Sequence, residues 1–521
     1  MLVGVLAVAA VVRYYDLQFR GLIYWDEGKF ALEGIRFLVL VRDLLGAHDP
    51  VSLGKAVGTA KPGHALFIAL AYAVLGVHDF APLYLDACAS LVSVALTFLI
   101  GRRLFGTGTG LAAALLLATS EYDVIYARSA LSESDAVVLF MTGAWMWLRW
   151  GVSSGASAER GGVLAAAAVA GCAFTVNYRM LVYIAALVLL DLLWSVNQHG
   201  LGRQTPLRCA AWAPLVVAPL AWQAADLVAR AHGLALFRNE ILHAPTTYLA
   251  QAAYQIHEGK QSVVRFEPLA YPLWYIVRQG WWGFALLCLA LGIAAIRRTF
   301  SWLVPSGFVV VPYCIYLTAP FVVPRNMVAA LPFACILVAA LLASATRRVT
   351  TSKYWPALGS FVTLLVCRAN LSLAWRETGV RSGLTAAARY VITRDGGKAL
   401  VTNEVLEFYL RDGAGPCLAP RVPYDHTQLA ADIHYGYRYA VLDQNSGSPM
   451  QALIKLRLRP VASFSSLGTA SLGENIIDSE NTNIPGKRPL VRYVPVYDLA
   501  RLRLFPPRNP QRPQCSREEP P

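Results

Sequence analysis

Charge is scarce in this sequence. Asp, Glu, Lys and Arg make up 15% of the 521 residues against 56% apolar residues, and the mean hydropathy is +0.46. Soluble domains carry about 25% charged residues, so a single water-exposed fold is excluded and several membrane spans are required. Acidic residues are the scarcer sign, 32 against 46 Lys and Arg, for a net charge of +14. The basic residues collect in short clusters between apolar runs and form no stripe, which excludes a nucleic-acid groove and reads as membrane topology. A CxxC or Cys/His metal spacing, a GxGxxG after a strand, a Walker loop and an internal repeat are also missing. Seven of the nine cysteines (Cys88, Cys172, Cys209, Cys288, Cys314, Cys335, Cys367) lie in or beside apolar runs, where the thiol acts as a small hydrophobe. Cys417 and Cys515 lie outside them, where a pairing would need an oxidising side of the membrane.

The first apolar run, Met1 to Val12, lacks a basic leader region and a small-residue cleavage site and reads as a retained span. Ala65 to Val77 is apolar over only about thirteen residues, short of the roughly twenty a span needs, and its placement decides the topology. Laid in the interface, it lets spans near 82–101, 108–120, 133–150, 161–176, 179–196, 207–229, 281–296, 301–318, 324–345 and 354–373 put every basic cluster on the inner side. Those clusters are Arg102-Arg103, Arg149, Arg203 with Arg208, Arg297-Arg298 and Arg347-Arg348. The result is an α-helical polytopic membrane protein with about eleven spans plus interfacial helices over residues 1–373, bearing outer loops 13–64 and 231–279. Beyond it, residues 374–505 alternate helix and strand (helices at 381–394, 403–410 and 427–434; strands at 398–402, 437–442 and 461–464), the pattern of a small soluble α/β domain on the outer side. Residues 506–521 form a Pro- and Arg-rich tail read as disordered.

The outer face carries the charge that hydropathy does not explain. Asp26 and Glu27 open a helix on which Lys29, Glu33 and Arg36 follow at three- and four-residue spacing. As pure structure, Asp26 caps that helix and Glu27 favours its positive end. Likewise Ser132 with Asp135 is a capping-box variant before the next span, and Glu133 suits its dipole. Arg325 at the outer end of a span runs against the positive-inside bias, as do Arg128 and Arg179. With Lys29 and Lys61 they make a set of outer cations suited to a lipid phosphate, beside a carboxylate pair. His64, His243 and His257 lie on the same face. A carboxylate beside phosphate-binding cations points to group transfer from a lipid-linked phosphate donor, one carboxylate deprotonating an acceptor hydroxyl.

These residues resemble the GT-C membrane glycosyltransferases of the protein O-mannosyltransferase and lipid A aminoarabinose transferase kind. Asp26-Glu27-Gly28-Lys29-Phe30-Ala31 is similar to their opening acidic motif, Lys61-Pro62 to their Lys-Pro-Pro turn, Arg102-Arg103-Leu104-Phe105-Gly106 to an inner loop, Arg128 to Glu133 to an Arg-x-x-x-x-acid element, and Arg325 with Pro332 to their arginine-proline span. Gly63 replaces the second proline, Ala60 replaces an acidic residue linked to a metal site, and Asn326 replaces an aromatic. The resemblance implies a GT-C fold and inverting transfer from a polyprenyl-phosphate sugar to a lipid, glycan or protein hydroxyl. Asp26 is then the candidate base, with Glu27 equally placed by sequence. Lys61 and Arg325 would meet the donor phosphate, joined in the cation set by Lys29 and Arg128, with Glu133, His64, Arg179, His243 and His257 in support. No cofactor is fixed, and a divalent metal stays open. The topology suits a bacterial inner membrane with the active face in the periplasm and no nucleic-acid partner. Competing classes are a transporter or flippase of polyprenyl-linked glycans, for which Asp86 and Asp191 inside apolar stretches are the relevant residues, an oligosaccharide ligase or polymerase, and a relative whose exported domain only binds.

Overall fold

The computed structural model describes residues 1–46, 61–152, 156–202, 204–215, 217, 270–317, 324–349, 355–395, 398–401, 404–411, 417–418, 426–442, 454, 458–466 and 492–502. They divide into two units, one of Met1–Tyr15 with Glu33–Thr378 and one of Asp16–Leu32 with the described residues after Thr378.

The first unit is helical because a lipid-facing backbone must satisfy its own polar groups. Its helices are α1 (Leu2–Tyr14), α2 (Trp25–Gly46, counted here from Glu33), α3 (Pro62–Leu75), α4 (Phe80–Phe105), α5 (Thr107–Ala118), α6 (Glu121–Ala127), α7 (Glu133–Met146), α8 (Ala156–Val176), α9 (Met180–His199), α10 (Gln204–Ala210), α11 (Ala270–Arg297), α12 (Phe300–Tyr316), α13 (Leu331–Val349) and α14 (Trp355–Glu377). Among the described residues, five helical segments are long and apolar enough to cross a membrane: Leu2–Phe19, Phe80–Phe105, Met180–His199, Gly280–Arg297 and Arg325–Ala345. Gly63–Leu75, Thr107–Ala118, Arg160–Val176 and Phe300–Tyr316 are apolar but shorter. The short apolar segment after Lys61 is a helix whose Ala65, Ile68, Ala69 and Tyr72 are buried while Leu70 and Val74 are exposed.

Three expected spans differ in form. The 133–150 segment leaves α-geometry at Met146 and continues as a π turn, Trp147–Gly151. The 324–345 segment begins as a 3₁₀ turn, Pro324–Ala330. The 207–229 segment is helical over Gln204–Ala210, and residues 218–269 lie outside the described ones, together with His243 and His257.

Apolar rings fill the middle of this unit: Phe140, Phe308 and Phe333 meet edge-on or tilted, with Tyr183 on Phe140. Two buried arginines in it are paired with carboxylates, as burial demands. Arg13, fully buried, forms an ion pair with Asp123 and donates to Ser90 Oγ at 2.7 Å and to the Ala118 carbonyl at 3.0 Å. Asp191 accepts from Arg208 Nε at 2.8 Å and from the indoles of Trp147 and Trp212 at 2.6 and 2.9 Å. Arg208 also donates to the Gly151 carbonyl, which the π turn presents to it. Asp191 is thereby fixed as a bracket between α9, α10 and the π turn, which removes it as a sign of a transport path.

The second unit carries α15 (Gly383–Asp395), β1 (Lys398–Val401), α16 (Glu404–Leu410), β2 (Cys417–Leu418), α17 (His426–His434), β3 (Tyr437–Val441), β4 (Ala462–Ser466) and β5 (Arg492–Asp498). The sheet order is β2-β1-β3-β5-β4; β1 runs parallel to β2 and β3, while β5 runs antiparallel to β3 and β4. Leu400, Leu429, Ala440, Leu442 and Tyr497 form its core. The anticipated strands at 398–402, 437–442 and 461–464 are present, whereas β5 was not foreseen. Its Pro495 cannot donate to a ladder and argues against an inner strand; in the structure the Pro495 carbonyl instead accepts from the Leu442 amide at 3.1 Å.

Replacing Asp191 by Ala strands the Arg208 guanidinium in a buried site and is expected to cost about 3–5 kcal/mol. The check is a lowered unfolding midpoint of the detergent-solubilised protein, with an unchanged midpoint contradicting the bracket.

Candidate active site

In the first unit, three chain turns bring polar side chains together. Lys61 is the N-cap residue of α3, Ser132 that of α7, and Asn177-Tyr178-Arg179 joins α8 to α9. The Lys61 ammonium donates to Ser132 Oγ at 2.7 Å. Asn177 Nδ2 donates to the same hydroxyl at 3.0 Å and to Glu133 Oε1 at 3.2 Å, while its Oδ1 accepts from the Arg179 amide at 3.0 Å. The Arg179 guanidinium reaches Glu133 Oε1 at 3.4 Å. One helical turn further on, His64 Nδ1 and Asp135 Oδ2 are 2.9 Å apart. The Tyr178 ring lies 5.9 Å from Lys61 Nζ and 5.4 Å from the Arg179 guanidinium. All these polar residues are buried.

This geometry corrects the capping reading of α7. Ser132 makes no side-chain capping bond; its hydroxyl accepts from Lys61 and Asn177 instead, and Asp135 faces His64 across to α3. The paired rungs 61/132 and 64/135 fasten the first turn of α3 to that of α7. The glycine that replaces the second proline has a physical cause. A Cβ on Gly63 would lie 2.7 Å from Thr175 Oγ1 and 2.8 Å from Val176 Cγ2, so α3 approaches the end of α8 too closely for any side chain.

Arg325 is half-buried in the 3₁₀ turn. Its neighbour Asn326 is buried and its carbonyl accepts from the Tyr183 hydroxyl at 2.6 Å, while the Tyr316 hydroxyl donates to the Arg179 carbonyl at 3.2 Å. Tyr183 lies on α9 one turn beyond Arg179, so its bond ties the arginine turn to α9, and the Tyr316 bond ties the end of α12 to the residue before α9. Arg128 is a correction. Its Nη1 donates to the carbonyls of Val12, Arg13 and Tyr15 at 3.2, 2.9 and 3.0 Å, and Nη2 reaches the Thr378 carbonyl at 3.5 Å. It satisfies the open carbonyls at the end of α1 and is not brought to Lys61 and Arg179.

In the second unit, the acidic pair opens α2. Glu27 is fully buried; its Oε2 accepts from the amides of Ile23 and Tyr24 at 2.6 and 3.0 Å, and its Oε1 pairs with Arg20 Nη1 at 2.9 Å. A glutamate at the third helical position reaching back to amides before the helix is the acidic half of a capping box, reinforced here by a buried arginine. Glu27 thus serves the start of the helix, and Asp26 beside it is buried as well. Lys29, on the next turn, is half-buried.

Sequence reasoning missed Arg20 and undervalued Ser132, Asp135 and Asn177, since short polar residues at helix ends serve caps as readily as sites. Among the described residues no group of three or more His, Cys, Asp or Glu could hold a metal ion. The donor set for a divalent metal is thus not met among the described residues.

Residues 59–222 match the family model described as dolichyl-phosphate-mannose-protein mannosyltransferase. No curated protein matches the sequence. The structure is similar to ArnT from Cupriavidus metallidurans, solved both in the apo state and bound to undecaprenyl phosphate. For each, the TM-score is 0.60 at 17% identity, covering 95% of this chain and 97% of that one. It is also similar to the archaeal oligosaccharyltransferase AglB from Archaeoglobus fulgidus, in complex with an inhibitory peptide and a dolichol-phosphate, with TM-score 0.52 at 10% identity over 85% of this chain and 69% of that one. The chain therefore has the GT-C membrane glycosyltransferase fold, and its residues 59–222 carry the sequence pattern of the mannosyltransferase family.

Proposed function

We propose that this protein transfers a sugar, with inversion, from a polyprenyl-phosphate donor to a hydroxyl of a lipid, glycan or protein at the outer face of a membrane, in bacteria the periplasmic face of the inner membrane. The observation that carries the reading is the buried set of Lys61, Ser132, Glu133, Asn177 and Arg179, in which neutral and acidic partners hold two cations in fixed orientation. Preorganised cations of this kind stabilise charge that develops on a departing phosphate. An ArnT structure of the same fold was solved with undecaprenyl phosphate, which supports a lipid-linked donor. An apolar cavity of about 240 Å³ lies beside the arginine turn, lined by Tyr275, Leu287, Leu291, Val309, Met327 and Ala334. Its chemistry suits part of a prenyl chain whose phosphate lies toward Arg325.

In this reading the Asp26 carboxylate takes the proton of the acceptor hydroxyl as its oxygen attacks the anomeric carbon. The bond from that carbon to the phosphate oxygen breaks, and polyprenyl phosphate leaves with its charge met by Lys61, Arg179 and Arg325, with Lys29 in support. One displacement inverts the anomeric centre.

The test is transfer of radiolabelled sugar from a polyprenyl-phosphate-sugar pool in membranes holding each variant at matched expression. Asp26→Asn should lower transfer by about 100-fold or more, the range a general base contributes, while normal transfer would sink the mechanism. Lys61→Ala should weaken both transfer and donor binding, and unchanged donor KM would remove it from the phosphate site. Glu27→Gln should behave differently, lowering the unfolding midpoint through loss of the Arg20 pair, a cost of about 3–5 kcal/mol, while its remaining side-chain oxygen still accepts from the Ile23 and Tyr24 amides, so that the folded fraction keeps the turn and its turnover. Loss of turnover at full stability would return Glu27 to the chemistry.

A further inference from the structure

The second unit grips the backbone of the acidic turn from residues more than 350 positions away. The Ser382 amide donates to the Arg20 carbonyl at 2.8 Å, and its hydroxyl donates to the Leu22 carbonyl at 2.6 Å. The Leu22 amide in turn donates to the Tyr409 hydroxyl at 2.8 Å. Arg381 adds an ion pair to Asp16 at 3.0 Å. Contact is equally close on the helix side of the turn. A Cβ on Gly28 would run into the Val405 amide nitrogen and the Glu404 carbonyl carbon, so the first turn of α2 rests directly on the backbone that starts α16. Gly21, at φ +69°, leaves no room either, since a Cβ there would meet Thr385 Oγ1 at 2.5 Å.

These contacts form a continuous chain toward Asp26. Ser382 and Tyr409 fix Leu22, the next two amides are fixed on Glu27, and Asp26 is the residue beside Glu27 in the same helical turn. The Arg20–Gly28 backbone is thus held by hydrogen bonds at Arg20, Leu22, Ile23 and Tyr24 and by close contact with α16 at Gly28. A reacting group displaced by about 1 Å loses on the order of 100-fold in rate, so such a frame has a direct kinetic value.

We propose that Ser382 and Tyr409 are positioning residues for Asp26, and that the α/β unit is a working part of the catalytic apparatus. It sets the carboxylate of the opening motif by gripping the backbone before it. This rests on the reading of Asp26 as the base. It also gives Gly28 a reason: the position between the acidic pair and Lys29 is glycine because α16 occupies the space of a side chain.

The experiment uses the full-length protein in membranes or detergent, with Ser382→Ala, Tyr409→Phe, Ser382→Thr and Asp26→Asn, each scored per folded molecule. Ser382→Ala and Tyr409→Phe are expected to lower kcat by about tenfold or more with donor KM unchanged, and to speed amide exchange at Leu22 to Trp25. Ser382→Thr, which keeps the hydroxyl, restores kcat. Added to Asp26→Asn, neither change lowers the residual rate further, because each acts through Asp26. Full kcat per folded molecule in Ser382→Ala and Tyr409→Phe, with Asp26→Asn inactive, overturns the positioning role and leaves the proposed reaction standing. An equal loss in the Asp26→Asn background also overturns it, by placing the effect elsewhere. Full activity in Asp26→Asn overturns the reaction itself and this inference with it.

Discussion

The carboxylate of Glu27, closed in by the Arg20 guanidinium and by the amides of Ile23 and Tyr24, is the contact on which the reading of the acidic turn depends. A buried carboxylate is tolerated only when charge and hydrogen bonds answer it. Glu27 meets that condition with two amides and an arginine, and by meeting it the residue fixes the start of the helix that carries Asp26. In the proposed reaction Glu27 closes the helix start and its neighbour Asp26 takes the proton.

The same constraint orders the rest of the polar groups. Arg13 with Asp123, Arg208 with Asp191, and Arg128 with the last carbonyls of α1 are charges placed where lipid-facing helices would otherwise leave groups unsatisfied. They are brackets. In the set around Lys61 the ammonium donates to a neutral hydroxyl and lies near an aromatic face. In the proposed reaction its charge would meet the phosphate of the donor.

Much of this was legible in the sequence. Hydropathy placed the helical part, and the alternation after residue 374 anticipated a sheet that the structure contains. The order of Asp26, Lys61, Glu133 and Arg325 carried the resemblance to the GT-C enzymes. The unreadable parts have definite causes. Arg128 looked like an outer cation because sequence does not show that α1 ends against it. Ser132 and Asp135 looked like a cap because the capping pattern and a cross-helix contact use the same residue types. β5 hid behind Pro495, and the role of Ser382 and Tyr409 could not be seen, since nothing local to them points to a turn more than 350 residues earlier.

The measurement that tests the central claim most directly is the anomeric configuration of the sugar in the product formed from a polyprenyl-phosphate-sugar donor of known configuration. A single displacement with Asp26 as base predicts inversion. Retention would require a covalent or double-displacement path, and it would contradict the account.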